Sequence, residues 1–261
     1  MPAVDAQPLR GLRILVTRPA HQAEPLCRLI EAAGGSALRF PTIEIEPADT
    51  TTLQNAVAQL EQFDIAVFVS PNAVTHAFAA IGARPLPTGL LVACVGSGSA
   101  RALAQRGAMQ TLVPPRSDSE GLLELPMLQQ VRGKRIAIFR GQGGRQLLGD
   151  ELRRRGAEVT YIECYRRVRP RGEDGALARV FLQQGIDIAT VTSADALRNL
   201  ADMASTARAV LARTPLVVAS ERLVVLAHEL GLEGPVLVAA SAADEDIVAA
   251  IRAWRASQKK L

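Results

Sequence analysis

Aromatic residues are scarce in this 261-residue chain, with six Phe, two Tyr and one Trp. Its cores must therefore be built from Leu, Val, Ile and Ala, and a stacking platform for nucleic acid is missing. Long apolar runs are missing too. The longest, at residues 90–95 and 214–219, are strand length, which excludes a membrane-spanning helix. Residues 1–13 hold no apolar block of the kind a signal peptide needs. Cys27, Cys94 and Cys164 are odd in number and widely spaced in apolar contexts, a pattern of reduced buried thiols in a cytoplasmic protein. His21, His76 and His228 stand far apart with no Cys or carboxylate at ligand spacing, so no metal site is expected.

What the chain does contain is a repeat of itself, offset by about 122 residues. Gly11-Leu12-Arg13-Ile14, with Arg18 behind it, returns as Gly133-Lys134-Arg135-Ile136 with Arg140. Asp64-Ile65-Ala66 through Ser70 and Asn72-Ala73-Val74 returns as Asp187-Ile188-Ala189 through Ser193 and Asp195-Ala196-Leu197. A third echo pairs residues 90–107 with 216–231, where an apolar run meets small polar residues and then a Leu-rich helix that stops at Gly. Two similar halves can face each other across a cleft, and a cleft is where a ligand sits.

Strand-like and helix-like segments alternate along both halves. Residues 13–16 form a buried strand, and a helix after Pro19 carries Leu26, Leu29, Ile30 and Ala33 at helical spacing. Residues 65–69 form another strand, and Ser70-Pro71 is an N-cap with proline at the first helical position, followed by the inward stripe Val74, Ala77, Phe78 and Ile81. The second half repeats the plan with strands at 135–139, 188–192 and 216–218, and helices after the turns at 141–144, 193 and 220. Such alternation predicts two doubly wound α/β domains with parallel sheets covered on both faces. Two extended stretches, 38–47 and 158–170, follow the first helix of each half and close on prolines. If both are crossings between domains, residues 1–38 and 168–261 form one discontinuous domain, and residues 39–167 form the other, linker strands included.

In such sheets ligands meet the carboxyl ends of the strands, where helix N-termini present unpaired N–H groups. The turns at Ser70, Ser97 to Ser99, Gly141 to Gly144 with Gly143 inside, Ser193 and Ser220 fit that description. Each serine alone is an ordinary cap worth ~1 kcal/mol. Five such turns in duplicated halves describe a cleft lined with neutral anion receptors. Arg18 and Arg140 recur at equivalent strand ends, as surface charges or as ligand contacts. The net charge of +4 comes mostly from arginine, which grips carboxylates in a planar fork. Arg153-Arg154-Arg155 is expected to be a solvated helical face, and Arg166, Arg167, Arg169 and Arg171 a linker surface or a rim for an anion. With no recognition helix beside these charges, nucleic acid is not an expected partner. Gly96-Ser97-Gly98-Ser99 nearly matches a dinucleotide fingerprint, but Thr111-Leu112-Val113 runs into Pro114-Pro115 instead of the acidic residue a ribose needs. No nucleotide cofactor is expected.

Together these residues carry a family resemblance. Residues 14–19 (Ile-Leu-Val-Thr-Arg-Pro), 67–74 (Val-Phe-Val-Ser-Pro-Asn-Ala-Val), Val95-Gly96 with Ser99-Ala100, Arg140-Gly141 with Gly144-Arg145, Arg155-Gly156-Ala157 with Val159, and Cys164-Tyr165-Arg166 resemble the pattern of the uroporphyrinogen-III synthase family, in the same order from about residue 11 to 231. The chain departs at Ser99, where the family often has threonine, and at Ala219-Ser220-Glu221-Arg222, where many members have a Gly-Pro-Thr-type turn; both keep a hydroxyl. The resemblance implies two α/β domains joined by a two-stranded linker. It also implies a cofactor-free reaction in which hydroxymethylbilane, a linear tetrapyrrole polycarboxylate, loses water and closes to uroporphyrinogen III with ring D inverted.

On that reading the protein is a monomer that enforces geometry on a substrate already prone to cyclise. Tyr165, on the second extended segment, is the candidate general acid, since its phenol is ordinarily protonated at neutral pH and can donate to the departing hydroxyl. Packing of a strand tyrosine on the linker explains it equally well from the sequence alone. Tyr161 is expected to be structural. Thr17, Arg18, Ser70, Asn72, Ser97, Ser99, Arg140, Gly141, Gly143, Ser193 and Ser220 are the candidate substrate-binding positions. A two-lobed anion-binding or regulatory module without catalysis accounts for the repeat and the serines as well, although the absence of an export signal counts against a transport version.

Overall fold

The computed structural model describes residues 7–171 and 175–258, without the side chain of Thr50. Residues 1–6, 172–174 and 259–261, which fall in the discontinuous domain expected from the sequence, lie outside the described residues. In chain order the strands are β1 (Arg13–Val16), β2 (Ser36–Arg39), β3 (Glu44–Pro47), β4 (Ile65–Phe68), β5 (Leu91–Cys94), β6 (Thr111–Leu112), β7 (Arg135–Gly141), β8 (Glu158–Val168), β9 (Ile188–Val191), β10 (Leu216–Val218) and β11 (Val236–Val238). The chain divides into two compact units, one made of the residues up to Glu44 and from Val168 onward, the other of Ile45–Arg167.

The first unit holds a parallel sheet in the order β11-β10-β9-β1-β2. The second holds the order β3-β8-β7-β4-β5-β6, parallel from β8 to β6. Each sheet joins the opening strand pair of one repeat to the last three strands of the other. β1 and β2 stand beside the strands of the second half, and β7 and β8 beside those of the first. Each unit is therefore a doubly wound sheet whose switch point lies between strands from different repeats, β1 with β9 and β7 with β4.

The recurring residues of the repeat fix the register of exactly those two pairings, in the same way twice. Asp64 accepts the backbone N–H of Arg135 at 2.8 Å on its carboxylate, and its own N–H donates to the Arg135 carbonyl at 2.9 Å. Asp187 does the same with Arg13, at 2.7 and 3.0 Å. Gly11 and Gly133, which lead into β1 and β7, both sit at positive φ, +81° and +74°, where other residues are strained. Duplication in the sequence thus marks the seams of the fold.

In the second unit the strands alternate between two apolar faces. Ala66, Phe68, Ala137 and Phe139 pack with Val74, Ala77, Phe78 and Ile81 of the helix Pro71–Ile81. Ile65, Val67, Ile136 and Ile138 pack on the other side with Leu148 and Leu152 of the helix Leu147–Arg154. In the first unit Ile14, Val16, Ile188 and Val217 pack with Leu26 and Ile30 of the helix Ala20–Ala32 and with Ile247 and Ile251 of Asp244–Gln258. The extended stretch 38–47 is split between β2 and β3, while Glu158–Val168 is a single strand hydrogen-bonded to β3. Arg166 pairs with Glu46 across that edge at 2.7 Å.

The run at 153–155 is more than the solvated face expected of it. Arg155 is half-buried and donates to the carbonyls of Leu123 and Leu128 at 2.8 and 2.9 Å, while Glu151 receives both Arg154 and Arg155. The Arg154 guanidinium, then that of Arg155, hold the Glu151 carboxyl down from an ordinary 4.5 to about 2. A depressed carboxyl stabilises the fold above its unfolded pKa and loses that contribution as pH falls. Urea midpoints of Glu151→Gln should therefore lie below wild type at neutral pH and converge with it between pH 4.5 and about 2. A constant gap across that window would contradict the assignment.

Candidate functional site

At the switch point of the second unit, where β7 and β4 end side by side, the surface opens into a cavity of about 440 Å³. Ser70 and Val69 line it from the end of β4, and Arg140 and Gly141 from the end of β7. Tyr161, Tyr165 and Arg167 enter from β8, Gly143, Gly144 and Arg145 from the loop after β7, and Asp118 with Ser119 from the start of the helix Ser119–Glu124.

Tyr165 reaches this cavity through an irregularity in the sheet. Along β8 the even residues Ile162 and Cys164 pack with Phe68 and Phe139, while the odd residues Val159 and Tyr161 pack on the opposite face. Regular alternation would send Tyr165 with Tyr161. Between β7 and β8, however, Arg140 pairs with Glu163 and the next residue, Gly141, pairs with Tyr165, so β8 holds one residue more than its partner. Such a bulge re-aims the side chain that follows it. Tyr165 thereby joins the Phe68 and Phe139 face, 2% exposed. Its ring lies across Gly141, where a Cβ would come within 2.6 Å of the ring carbon bearing the hydroxyl. The Gln142 N–H, donating to the Tyr165 carbonyl at 2.8 Å, closes the bulge.

The phenolic oxygen of Tyr165 has two polar neighbours, and its ring a third. Ser70 Oγ lies 3.1 Å away, an Arg167 guanidinium N–H donates to it at 3.4 Å, and the His76 ring stacks at 5.9 Å between centroids. Ser70 already accepts the N–H of Ala73 at 3.1 Å as the N-cap of Pro71–Ile81. Either hydroxyl can be the donor across the Ser70–Tyr165 contact, since each both donates and accepts. The phenolic oxygen thus lies between the Ser70 hydroxyl and the Arg167 guanidinium, all three residues lining the cavity.

Arg140 is buried, 5% exposed. Its guanidinium gathers the carbonyls of Gly141, Gly144 and Arg145 and stacks over the Tyr161 ring at 4.5 Å. It shapes the loop after β7, with Gly143 at φ +74° and Gly144 so near that a Cβ would lie 3.1 Å from the guanidinium. The helix expected directly after this turn begins only at Leu147, because the intervening carbonyls turn inward to Arg140. Gly141 is consequently the end of β7 rather than a helix N-terminus. The guanidinium of Arg116 and then the N–H of Gly121 hold the Asp118 carboxyl below its ordinary range.

The other positions singled out in the sequence lie elsewhere. Ser97 is exposed on the first turn of the helix Ser97–Ala104 and Ser99 is buried beneath it, and neither lines this cavity; nor does Asn72. Gly96 is extended, and a Cβ there would meet Ser117 Oγ at 2.8 Å, so the glycine permits a close approach of the protein's own chain. In the first unit Thr17 is buried and donates to the Thr190 carbonyl at 2.7 Å. Arg18 pairs with Asp244 at 2.5 Å and donates to the Ala242 carbonyl. Ser193 caps the helix Ala194–Met203 through the N–H of Ala196 at 3.2 Å, and Ser220 stands at the cap position of Glu221–Glu229 without a capping bond from its side chain. The thiols take no part in a site. Burial pushes all three up, Cys164 to about 12. Asp118 was not among the residues singled out in the sequence, where an Asp three residues before Gly121 was the available signal for a cap; Arg145 stood in the family pattern but not among the candidate binding positions.

Residues 24–249 match the family model described as uroporphyrinogen-III synthase HemD. The uroporphyrinogen-III synthases of Salmonella typhimurium and Escherichia coli are each 36% identical over 84% of this chain and 92% of their own length. Among solved structures, a mutant uroporphyrinogen III synthase from Thermus thermophilus superposes with a TM-score of 0.61 at 20% identity, covering 96% of this chain and all of that one. The Helicobacter pylori uroporphyrinogen-III synthetase gives 0.59 at 12% identity, over 93% and 99%. These two show the shared fold.

The bulge makes its own prediction. Gly141→Ala forces the Tyr165 ring to move and should cost about 1–3 kcal/mol of stability, as overpacking does. In a Tyr165→Leu background the same substitution should cost markedly less. Equal losses in both backgrounds, measured by chemical denaturation, would show that the two residues are not coupled.

Proposed function

The chain belongs to the uroporphyrinogen-III synthase family, and from that premise we propose that the cavity beside Tyr165 receives the reacting end of the substrate. The reaction is the dehydrative cyclisation of hydroxymethylbilane to uroporphyrinogen III, a step of tetrapyrrole biosynthesis, and the enzyme is a cyclising lyase. A cavity of about 440 Å³ is too small to enclose four substituted pyrroles, so it takes only the part of the substrate that carries the leaving hydroxyl.

Tyr165 donates its proton to that hydroxyl as the carbon–oxygen bond breaks, water departs, and a cationic azafulvene is left on ring A. The observation that carries this reading is the place of the phenolic oxygen on the cavity wall between Ser70 and the Arg167 guanidinium, two groups able to donate to it once the proton has left. Attack by the substituted carbon of ring D forms a spiro intermediate, and its fragmentation and reclosure invert that ring. The closing step releases one proton from a ring carbon, which returns to Tyr165. Proton donor and acceptor are thus one residue, and the cycle balances.

Arg145 and Arg167 stand on the cavity wall as partners for acetate and propionate arms. Arg140, with its donors turned to the loop carbonyls, serves by shaping the wall that Gly141 and Gly143 form. Elsewhere in the chain the turns at Ser97, Ser99 and Asn72, and in the first unit those at Thr17, Ser193 and Ser220, are proposed as receptors for further carboxylates through backbone N–H groups. Arg18 would act there only by leaving Asp244.

Freshly generated hydroxymethylbilane, with the products oxidised and separated as isomers I and III, tests the reading. Tyr165→Phe should lower turnover by less than the ~100-fold that begins the usual range of general-acid assistance, since this substrate ionises readily. Its residual product should remain isomer III. Arg145→Ala should raise KM about tenfold, as loss of a charge-assisted hydrogen bond does. Wild-type turnover in Tyr165→Phe removes the phenol from the mechanism, and a product shifted to isomer I assigns it to shape instead.

A further inference from the structure

Asp118 is the only acidic residue among the described residues that line the cavity, on walls otherwise supplied with Arg140, Arg145 and Arg167. In a site for a polycarboxylate this is the wrong charge for binding. It is the right charge for the species formed when the hydroxyl leaves. We propose that Asp118 is a further catalytic residue whose carboxylate accepts the N–H of the pyrrole that ionises, so that it stabilises the azafulvenium cation more than the neutral substrate. The inference rests on the cavity being the substrate site, as proposed above.

The carboxylate is fixed from behind. Arg116 Nε approaches its two oxygens at 2.9 and 2.8 Å, and the Gly121 N–H reaches Oδ1 at 2.6 Å. Gly121 lies directly against the Arg116 backbone, where a Cβ would strike the Arg116 carbonyl at 2.1 Å. A group held by these bonds does not reorient when charge develops, and this preorganisation makes a fixed ion effective at the transition state. The side chain is still 41% exposed, which leaves it accessible from the cavity.

The step leaves Asp118 unchanged. The carbon–oxygen bond breaks with its electron pair going to oxygen, and oxygen takes the Tyr165 proton to depart as water. The positive charge spreads from the exocyclic carbon onto the pyrrole nitrogen, whose N–H stays hydrogen-bonded to Asp118 throughout. When the ring-D carbon attacks, the cation is quenched and the hydrogen bond returns to its ground-state strength. An interaction that is stronger in the transition state than before it raises kcat and leaves KM nearly unaltered.

The cap and the charge can be separated, because Asn and Ser cap helices about as well as Asp. Asp118→Asn and Asp118→Ser should stay folded with a somewhat lower melting temperature from loss of the Arg116 pair, keep KM within about threefold and lower kcat by about 10- to 100-fold, somewhat less than loss of one preorganised donor in other enzymes. Asp118→Glu, which restores the charge, should recover part of that loss. Unchanged kcat in stable Asp118→Asn overturns the proposal, as does a change confined to KM. Arg145→Ala, assayed alongside, keeps the two readings apart. A raised KM there beside wild-type kinetics in Asp118→Asn rejects Asp118 alone, whereas wild-type kinetics in both reject the cavity and Asp118 with it.

Discussion

The site hangs on a mismatch of one residue between two parallel strands. β7 ends at Gly141 while β8 continues, and the extra residue at Cys164 turns Tyr165 from one face of the sheet to the other. Everything near the phenol follows from that turn. The ring can cross Gly141 only because there is no Cβ. Its hydroxyl then meets Ser70, itself placed by capping the helix that leaves β4, and Arg167, two residues further along β8. Cys164, the residue that makes up the bulge, is sealed in the core with its thiol pushed to about 12, so it contributes shape and no chemistry.

The exchanged repeat supplies the rest of the geometry. A doubly wound sheet leaves its crevice where strand order reverses. In both units that reversal falls where a strand of one half pairs with a strand of the other, and an aspartate at the start of β4 or β9 locks the register there. A shift along β4 would carry Ser70 away from Tyr165 as surely as a change in either side chain. Asp64 and Arg135 therefore act on the site from the opposite end of the sheet.

Much of this was legible in the sequence. Alternation of strands and helices, the stripe from Val74 to Ile81 and the caps at Ser70 and Ser193 follow from periodicity and capping chemistry, which are local. The repeat pointed to duplicated halves, and its most exact echoes proved to be the register contacts. What stayed hidden depends on partners distant in sequence. Period-two alternation puts Tyr161 and Tyr165 together, and nothing in Glu163-Cys164-Tyr165 announces a bulge. Arg140 was recognisable as recurrent, but its burial under loop carbonyls depends on Gly143 and Gly144 turning the chain back on it. Arg18, its counterpart, meets Asp244 more than two hundred residues away. Asp118 enters the cavity only because β5 and β7 are separated by a connection that folds back over their carboxyl ends.

The account comes down to whether the Tyr165 proton moves as the hydroxyl leaves. Single-turnover rates of hydroxymethylbilane consumption in H₂O and in D₂O, compared for wild type and Tyr165→Phe, measure this directly. The account predicts a clear slowing in D₂O for the wild-type enzyme, largely abolished in the variant. An equal isotope effect in both proteins would mean that the proton comes from another source, and would contradict it.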